Sequence, residues 1–230
     1  MARFTRLEAL VVMLRQGFVP LFHDPDPDRA SKALHAVAAG GGRTLEFTHR
    51  GDGAYEVFLE LERVCQRELP HVVLGAGSVP DAETASLYLN AGASFVVSST
   101  LDPDVARVCN RRKVGYLPGC ATPTEIARAE ELGAEIVKVF PGGAAGGPEL
   151  IRSVLGPSRW SRLMPTGGVA PTTDSLSAWF DAGAACVGLG SQLLPSNELA
   201  EGHWQAITDR VAATARLVTE CRPRPAEEWS

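Results

Sequence analysis

The chain has 230 residues, 45% hydrophobic and 21% charged, and a formal net charge of -5. Such a chain can bury a large core as one domain, and its weak negative balance without any Lys/Arg-rich run excludes nucleic acid and anionic membrane as principal partners. No apolar stretch reaches transmembrane length, and the N-terminus lacks a signal-peptide core. The five cysteines (Cys65, Cys109, Cys120, Cys186, Cys221) include no CxxC. A cytoplasmic protein with no membrane association, no disulfide framework and no zinc site is therefore expected.

In chain order, a helix over Arg3–Gln16 comes first and is expected to cover one end of the domain. Strand-type runs then alternate with helical stretches. The first pairs are Phe18–Phe22 with Asp28–Ala39, Thr44–Thr48 with Ala54–Glu68, and His71–Ala76 with Asp81–Ala91. Next come Phe95–Ser98 with Pro103–Arg111, Val114–Leu117 with Pro123–Leu132, and Ile136–Phe140 with Pro148–Leu155. Arg162–Pro165 with Thr172–Ala182 and Ala185–Leu189 with His203–Cys221 complete the series. Pro or Asp opens many of these helices, and Gly92, Gly133 and Gly183 close three, in keeping with helix start and stop chemistry. Eight βα units predict a TIM (β/α)8 barrel with an extra N-terminal helix, one domain over residues 1–221, and a polar tail over 222–230. A doubly wound open sheet is the alternative topology. The stripe Trp204, Ile207, Val211, Leu217 and Val218 on the last helix reads as core.

Between the first strand and its helix, Asp24-x-Asp26-x-Asp28 begins like a calcium loop, but the sixth and twelfth positions are Arg29 and His35. The segment reads instead as a proline-stiffened turn with Asp28 capping the next helix, and His23 reads as a surface turn histidine, with reach into a pocket from the strand end as the alternative. The histidines show no metal spacing, Gly75-x-Gly77 lacks the third glycine of a dinucleotide fingerprint, and no Walker loop exists, so no metal and no cofactor are expected.

The residue that breaks the pattern is Lys138, inside the apolar run Ile136-Val137-Lys138-Val139-Phe140. Burial disfavours an ammonium and favours the neutral amine that attacks a carbonyl carbon. On the second strand, side chains two apart share a face, so Glu46, Thr48 and Arg50 point into the barrel while Leu45 and Phe47 point to the helices. Lys138 is expected to converge on them, as a reactive amine beside a proton carrier or as one member of a buried ion network. The strand ends Thr166-Gly167-Gly168 and Gly190-Ser191 read as phosphate loops. Ser78, after the third strand, reads as a donor to a carboxylate or as a helix cap.

The segments Leu45–Arg50, Gly75–Val79, Pro118-Gly119, Val137–Pro141, Pro165–Gly168 and Gly188–Ser191 resemble, in order and spacing, the 2-keto-3-deoxy-6-phosphogluconate (KDPG) / 4-hydroxy-2-oxoglutarate (KHG) aldolase family. The resemblance implies a homotrimeric, metal-independent class I aldolase that releases pyruvate from an anionic keto acid. It matches Lys138 to the Schiff-base lysine, Glu46 to the proton carrier, and Arg50 and Ser78 to the holders of the substrate carboxylate. Phe140, Thr166 and Pro118 match the substrate pocket, and Gly167, Gly168, Gly190 and Ser191 match the phosphate site. Two departures, Ser99-Thr100 where Pro-Gly is the family pattern and the His23–Asp28 segment, are expected at the pocket mouth. A phosphate-binding isomerase or synthase without covalent lysine chemistry, and a noncatalytic sugar-phosphate binding protein, are the competing readings.

Overall fold

The computed structural model describes residues 2–222. Thr5 and Glu8 cap each other's backbone reciprocally, which starts α1 (Arg6–Gln16) later than expected. Arg3 is drawn off instead to Glu62 at 2.8 Å and to the Val72 carbonyl at 2.8 Å. Then follow β1 (Phe18–Phe22), α2 (Pro27–Ala39), β2 (Thr44–Thr48), α3 (Ala54–Arg67), β3 (Val73–Gly77) and α4 (Ala82–Ala91). They are succeeded by β4 (Phe95–Val97), α5 (Pro103–Arg112), β5 (Gly115–Leu117), β6 (Gly119–Cys120), α6 (Pro123–Glu131) and β7 (Val137–Val139). The rest is α7 (Gly147–Leu155), β8 (Leu163–Pro165), α8 (Thr173–Asp181), β9 (Val187–Leu189), α9 (Ser196–Glu201) and α10 (Trp204–Cys221).

The strand pairs are all parallel and form two arcs, β5-β4-β3-β2-β1-β9 and β6-β7-β8. The expected fifth strand runs on past Leu117 but is split at Pro118, which has no N–H to give to a ladder. Its first part pairs with β4 and its second with β7. On the other side, a bridge between Thr166 and Gly188 and the bond from Ala185 N–H to Leu163 O run from one arc to the other. The expected parallel α/β architecture is observed, as a curled sheet in two arcs.

Two apolar cores fix which way each side chain faces. The inner one holds Val19, Val73, Phe95, Val97, Leu117, Ile136, Met164 and Cys186, together with Ala9, Leu10, Met13 and Leu14 of α1. So α1 does cover the N-terminal end of the strands. Full burial of a side chain such as Met13 contributes about 1.5–3 kcal/mol, more than helix propensity provides for the whole segment. The outer core joins the alternate strand positions, among them Leu45, Phe47, Leu74, Ala76, Val137 and Val139, to the surrounding helices. There α10 buries Ile207, Val211 and Val218, the expected core stripe.

The burial of Cys65, Cys109, Cys120 and Cys186 pushes each thiol up to about 12. Cys221 is only half-buried. At pH 8 a group titrating near 12 is ionised roughly once in 10⁴ molecules, and thiolate is the reactive form. Ellman's reagent is therefore expected to react promptly with Cys221 alone in native protein and with all five cysteines after denaturation; a second fast thiol would contradict this burial.

Several details differ from the sequence reading. Asp26, not Asp28, caps α2, accepting from the N–H groups of Asp28 and Arg29, because Pro27 occupies the first helical position. Buried Asp24 is held by a bidentate pair with Arg29, at 2.9 and 3.0 Å. The third strand begins at Val73 rather than His71, which is exposed. The short α9 was not expected, and the tail 222–230 lies, from residue 223 onward, outside the described residues.

Candidate active site

Every residue of β2 is buried, and the outer-core positions of Leu45 and Phe47 leave Thr44, Glu46 and Thr48 facing inward. The same alternation on β7 turns Lys138 inward between Ile136 and Phe140. The two side chains meet: Lys138 Nζ stands 3.8 Å from Glu46 Oε1, with Lys138 4% and Glu46 0% exposed. That separation is a charge contact beyond hydrogen-bond range. Neither carboxyl oxygen of Glu46 has a hydrogen-bond partner among the described residues. An unbonded buried carboxyl costs several kcal/mol, and such an exception calls for a function rather than a structural role. The competing three-residue ion network does not form, because Arg50 is exposed and makes no ion pair among the described residues.

Room for the pair comes from missing side chains opposite it. On β3, Gly77 faces inward, and a Cβ there would overlap the carboxyl group of Glu46; one at Gly75 would overlap the ring of Phe95. On β9, a Cβ at Gly188 would overlap Thr166 Oγ1. Gly77→Ala is expected to displace Glu46, to cost about 1–3 kcal/mol of stability, and to lower kcat by at least roughly tenfold. Thermal unfolding and initial rates on the purified variant check both; an unchanged kcat would mean that the observed Glu46 position is not the working one.

Above the pair opens a cleft of about 650 Å³ at the C-terminal ends of the strands. Arg50, Phe140, Thr166, Gly167, Gly168, Gly190 and Ser191, all expected at the site, line it together. Lys138 and Glu46 lie two residues deeper on the same inward faces as Phe140 and Thr48, which also line it. Lys138 Nζ lies 5.1 Å from the Phe140 ring centroid, within cation-π range. Thr166, in the cleft lining, has its Oγ1 buried with no hydrogen-bond partner among the described residues. Gly167 and Gly168 have φ of +82° and +81°, and a Cβ on Gly168 would come within 2.9 Å of Gly143 Cα. Only glycine fits that turn, and it exposes backbone N–H groups to an anion.

Two expected residues stand apart from the lining. Pro118 is buried, and its carbonyl accepts from Lys138 N–H at 3.0 Å, so it fixes the backbone under the lysine. Ser78 is half-buried just past β3 with φ of +56° and does not cap α4; Asp81 does, accepting from Thr84 N–H at 2.7 Å. Of the two departures, His23 lines the cleft, whereas Ser99-Thr100 does not; Thr100 O accepts from the Tyr116 hydroxyl at 3.3 Å, which holds that loop to the wall of β5. His49 faces away from the site and bonds Tyr88 OH at 2.9 Å. Among the cleft residues that sequence reasoning missed, Ser196 and Leu199 come from α9 and Gln192 and Leu194 from the segment before it; the signal for α9 was the closing Gly202 after a single turn and a half.

A family model described as Aldolase, KDPG and KHG aldolase, matches residues 12–210. The KHG/KDPG aldolase of Escherichia coli K12 is 30% identical over 204 residues, covering 88% of this chain and 90% of the relative. The 2-keto-3-deoxy-6-phosphogluconate aldolase of Zymomonas mobilis ZM4, solved with 3-phosphoglycerate, superposes with a TM-score of 0.82 at 28% identity, covering 96% and 100% of the two chains. The KDPG aldolase from Legionella pneumophila, with pyruvate captured as a covalent carbinolamine intermediate, superposes with a TM-score of 0.81 at 25% identity, covering 90% and 97%.

Proposed function

Because the chain belongs to the KDPG and KHG aldolase family, we propose that it is a class I aldolase cleaving KDPG, or a close 2-keto-3-deoxy sugar acid phosphate, to pyruvate and glyceraldehyde 3-phosphate, and also KHG to pyruvate and glyoxylate. The observation that carries this reading is the buried Glu46 carboxyl, unbonded and 3.8 Å from a buried lysine, beneath an open cleft.

In this mechanism the Lys138 amine adds to the C2 ketone, and the carbinolamine loses water to give an iminium. The C3–C4 bond then breaks, its electron pair moving into the iminium to form an enamine, while Glu46 removes the C4 hydroxyl proton and the aldehyde leaves. Glu46 returns the proton to C3, and water hydrolyses the pyruvyl imine to free pyruvate and Lys138. Arg50 binds the substrate carboxylate with the geometry a guanidinium offers, and Ser78 adds a hydroxyl. Phe140, Thr166 and Pro118 shape the pocket around the imine, and Gly167, Gly168, Gly190 and Ser191 take the distal phosphate. Binding energy from that remote end positions the ketone at the amine.

The same reading takes the two arcs as one (β/α)8 barrel, with β5 and β6 as a single strand interrupted at Pro118, in one domain over 1–221. It takes the working form as a cytoplasmic homotrimer without metal or cofactor. The test is pyruvate release from KDPG and KHG, coupled to lactate dehydrogenase with and without EDTA. Chelator-insensitive NADH consumption is expected, and no pyruvate from either substrate would overturn the proposal.

A further inference from the structure

His23 has no part in the steps above, yet it is in the cleft with Arg50, Thr48 and Ser191. Phe18 and Phe22 of β1 belong to the outer core and Val19 to the inner one, so Leu21 and His23 continue the inward face. The register of β1 on β2 pairs Leu21 with Glu46 and Phe22 with Phe47, which puts His23 level with Thr48 and two residues nearer the mouth than Glu46. On its other side β1 pairs with β9, which leads into Gly190 and Ser191. His23 therefore stands between the proton carrier and the phosphate loops.

The ring is held for one task. Its Nδ1 lies 3.1 Å from the Thr48 carbonyl oxygen, and the ring leans on Phe47 with centroids 5.7 Å apart. A carbonyl only accepts, so Nδ1 carries the proton and Nε2 of the neutral ring is left as an acceptor. Nε2 makes no hydrogen bond among the described residues. A lone pair there repels a phosphate oxygen and attracts a hydroxyl.

Resting on the aldolase reading, we infer that His23 binds the substrate hydroxyl between the new carbinol carbon and the phosphate, and so selects hydroxylated aldehydes. That hydroxyl is present in glyceraldehyde 3-phosphate and absent from 3-phosphooxypropanal, which is otherwise the same molecule. A site built to bond a hydroxyl discriminates against the analogue lacking it.

The experiment is condensation of pyruvate with each of these two aldehydes, catalysed by wild type, His23→Phe and His23→Gln. Wild type is expected to favour glyceraldehyde 3-phosphate by roughly tenfold in kcat/KM, about the worth of one buried hydrogen bond. His23→Phe keeps the ring volume against Phe47 and is expected to bring the ratio to within about twofold of unity, by losing rate on the hydroxylated aldehyde through KM while holding it on the other. His23→Gln, which keeps an acceptor oxygen, is expected to retain part of the preference. A ratio unchanged in His23→Phe, or equal losses on both aldehydes, overturns the inference; should that variant not fold, the ratio in His23→Ala decides. Wild type inert toward both aldehydes overturns the aldolase reading and this inference with it, whereas active wild type with an unchanged variant ratio removes this inference alone.

Discussion

Lys138→Met is expected to lower kcat for KDPG cleavage by a factor on the order of 10⁵, because neither Lys32 nor Lys113 lines the cleft above Lys138. Methionine fills much the same inward space, so the loss reflects chemistry rather than a cavity. The substitution also strips Glu46 of its one ion-pair partner among the described residues, 3.8 Å away. Removing one partner from a buried ion pair costs about 3–5 kcal/mol when the other stays charged. Folding stability is accordingly expected to fall. Steady-state rates and urea denaturation measure these effects, and residual turnover within about a hundredfold of wild type would remove Lys138 from the chemical step.

Glu46→Gln is expected to retain its fold but lose turnover. Loss of a general acid-base lowers kcat by roughly 10²–10⁴-fold. The amide keeps the shape of the side chain but leaves the Lys138 amine, 3.8 Å away, without its carboxylate partner. Thermal unfolding is therefore expected at or below the wild-type temperature, as when one member of a buried pair is removed. A variant that unfolds while the few remaining molecules turn over normally would show Glu46 to be a structural ion instead.

Much of this site was legible in the chain because period-two alternation is a strict geometric rule. Leu45 and Phe47 had to face the helices, which sent Glu46 inward, and the same rule on Val137 and Val139 turned Lys138 toward it. The glycine pair that follows β8, Gly167-Gly168, was legible because only glycine takes that backbone conformation without strain. Three features escaped for identifiable reasons. Arg50 was expected to point inward beside Glu46, but two residues past the end of β2 it has left the ladder and lines the cleft from an exposed position. The cap of α2 slid from Asp28 to Asp26 because three aspartates alternate with two prolines, and composition does not say which proline opens the helix. The helix α9 is too short for any periodic signal, although it supplies Ser196 and Leu199 to the cleft.

The role of Gly77 could be inferred only once the sheet was assembled. Nothing in Gly75-Ala76-Gly77 distinguishes a phosphate-loop glycine from one that makes room for a neighbour. The pairing of Glu46 with Gly75 and of Thr48 with Gly77 resolves it, setting the bare Cα of Gly77 diagonally across from the carboxylate. Sequence spacing records what lies along a strand, and cross-strand register decides what lies beside it.

The central claim, a covalent lysine, is tested most directly by borohydride reduction of the native protein with pyruvate, followed by intact mass and peptide mapping. One pyruvyl adduct per chain, confined to the peptide carrying Lys138 and absent from Lys138→Met, is the predicted result. An adduct on any other lysine, or none on folded and saturated protein, would contradict it.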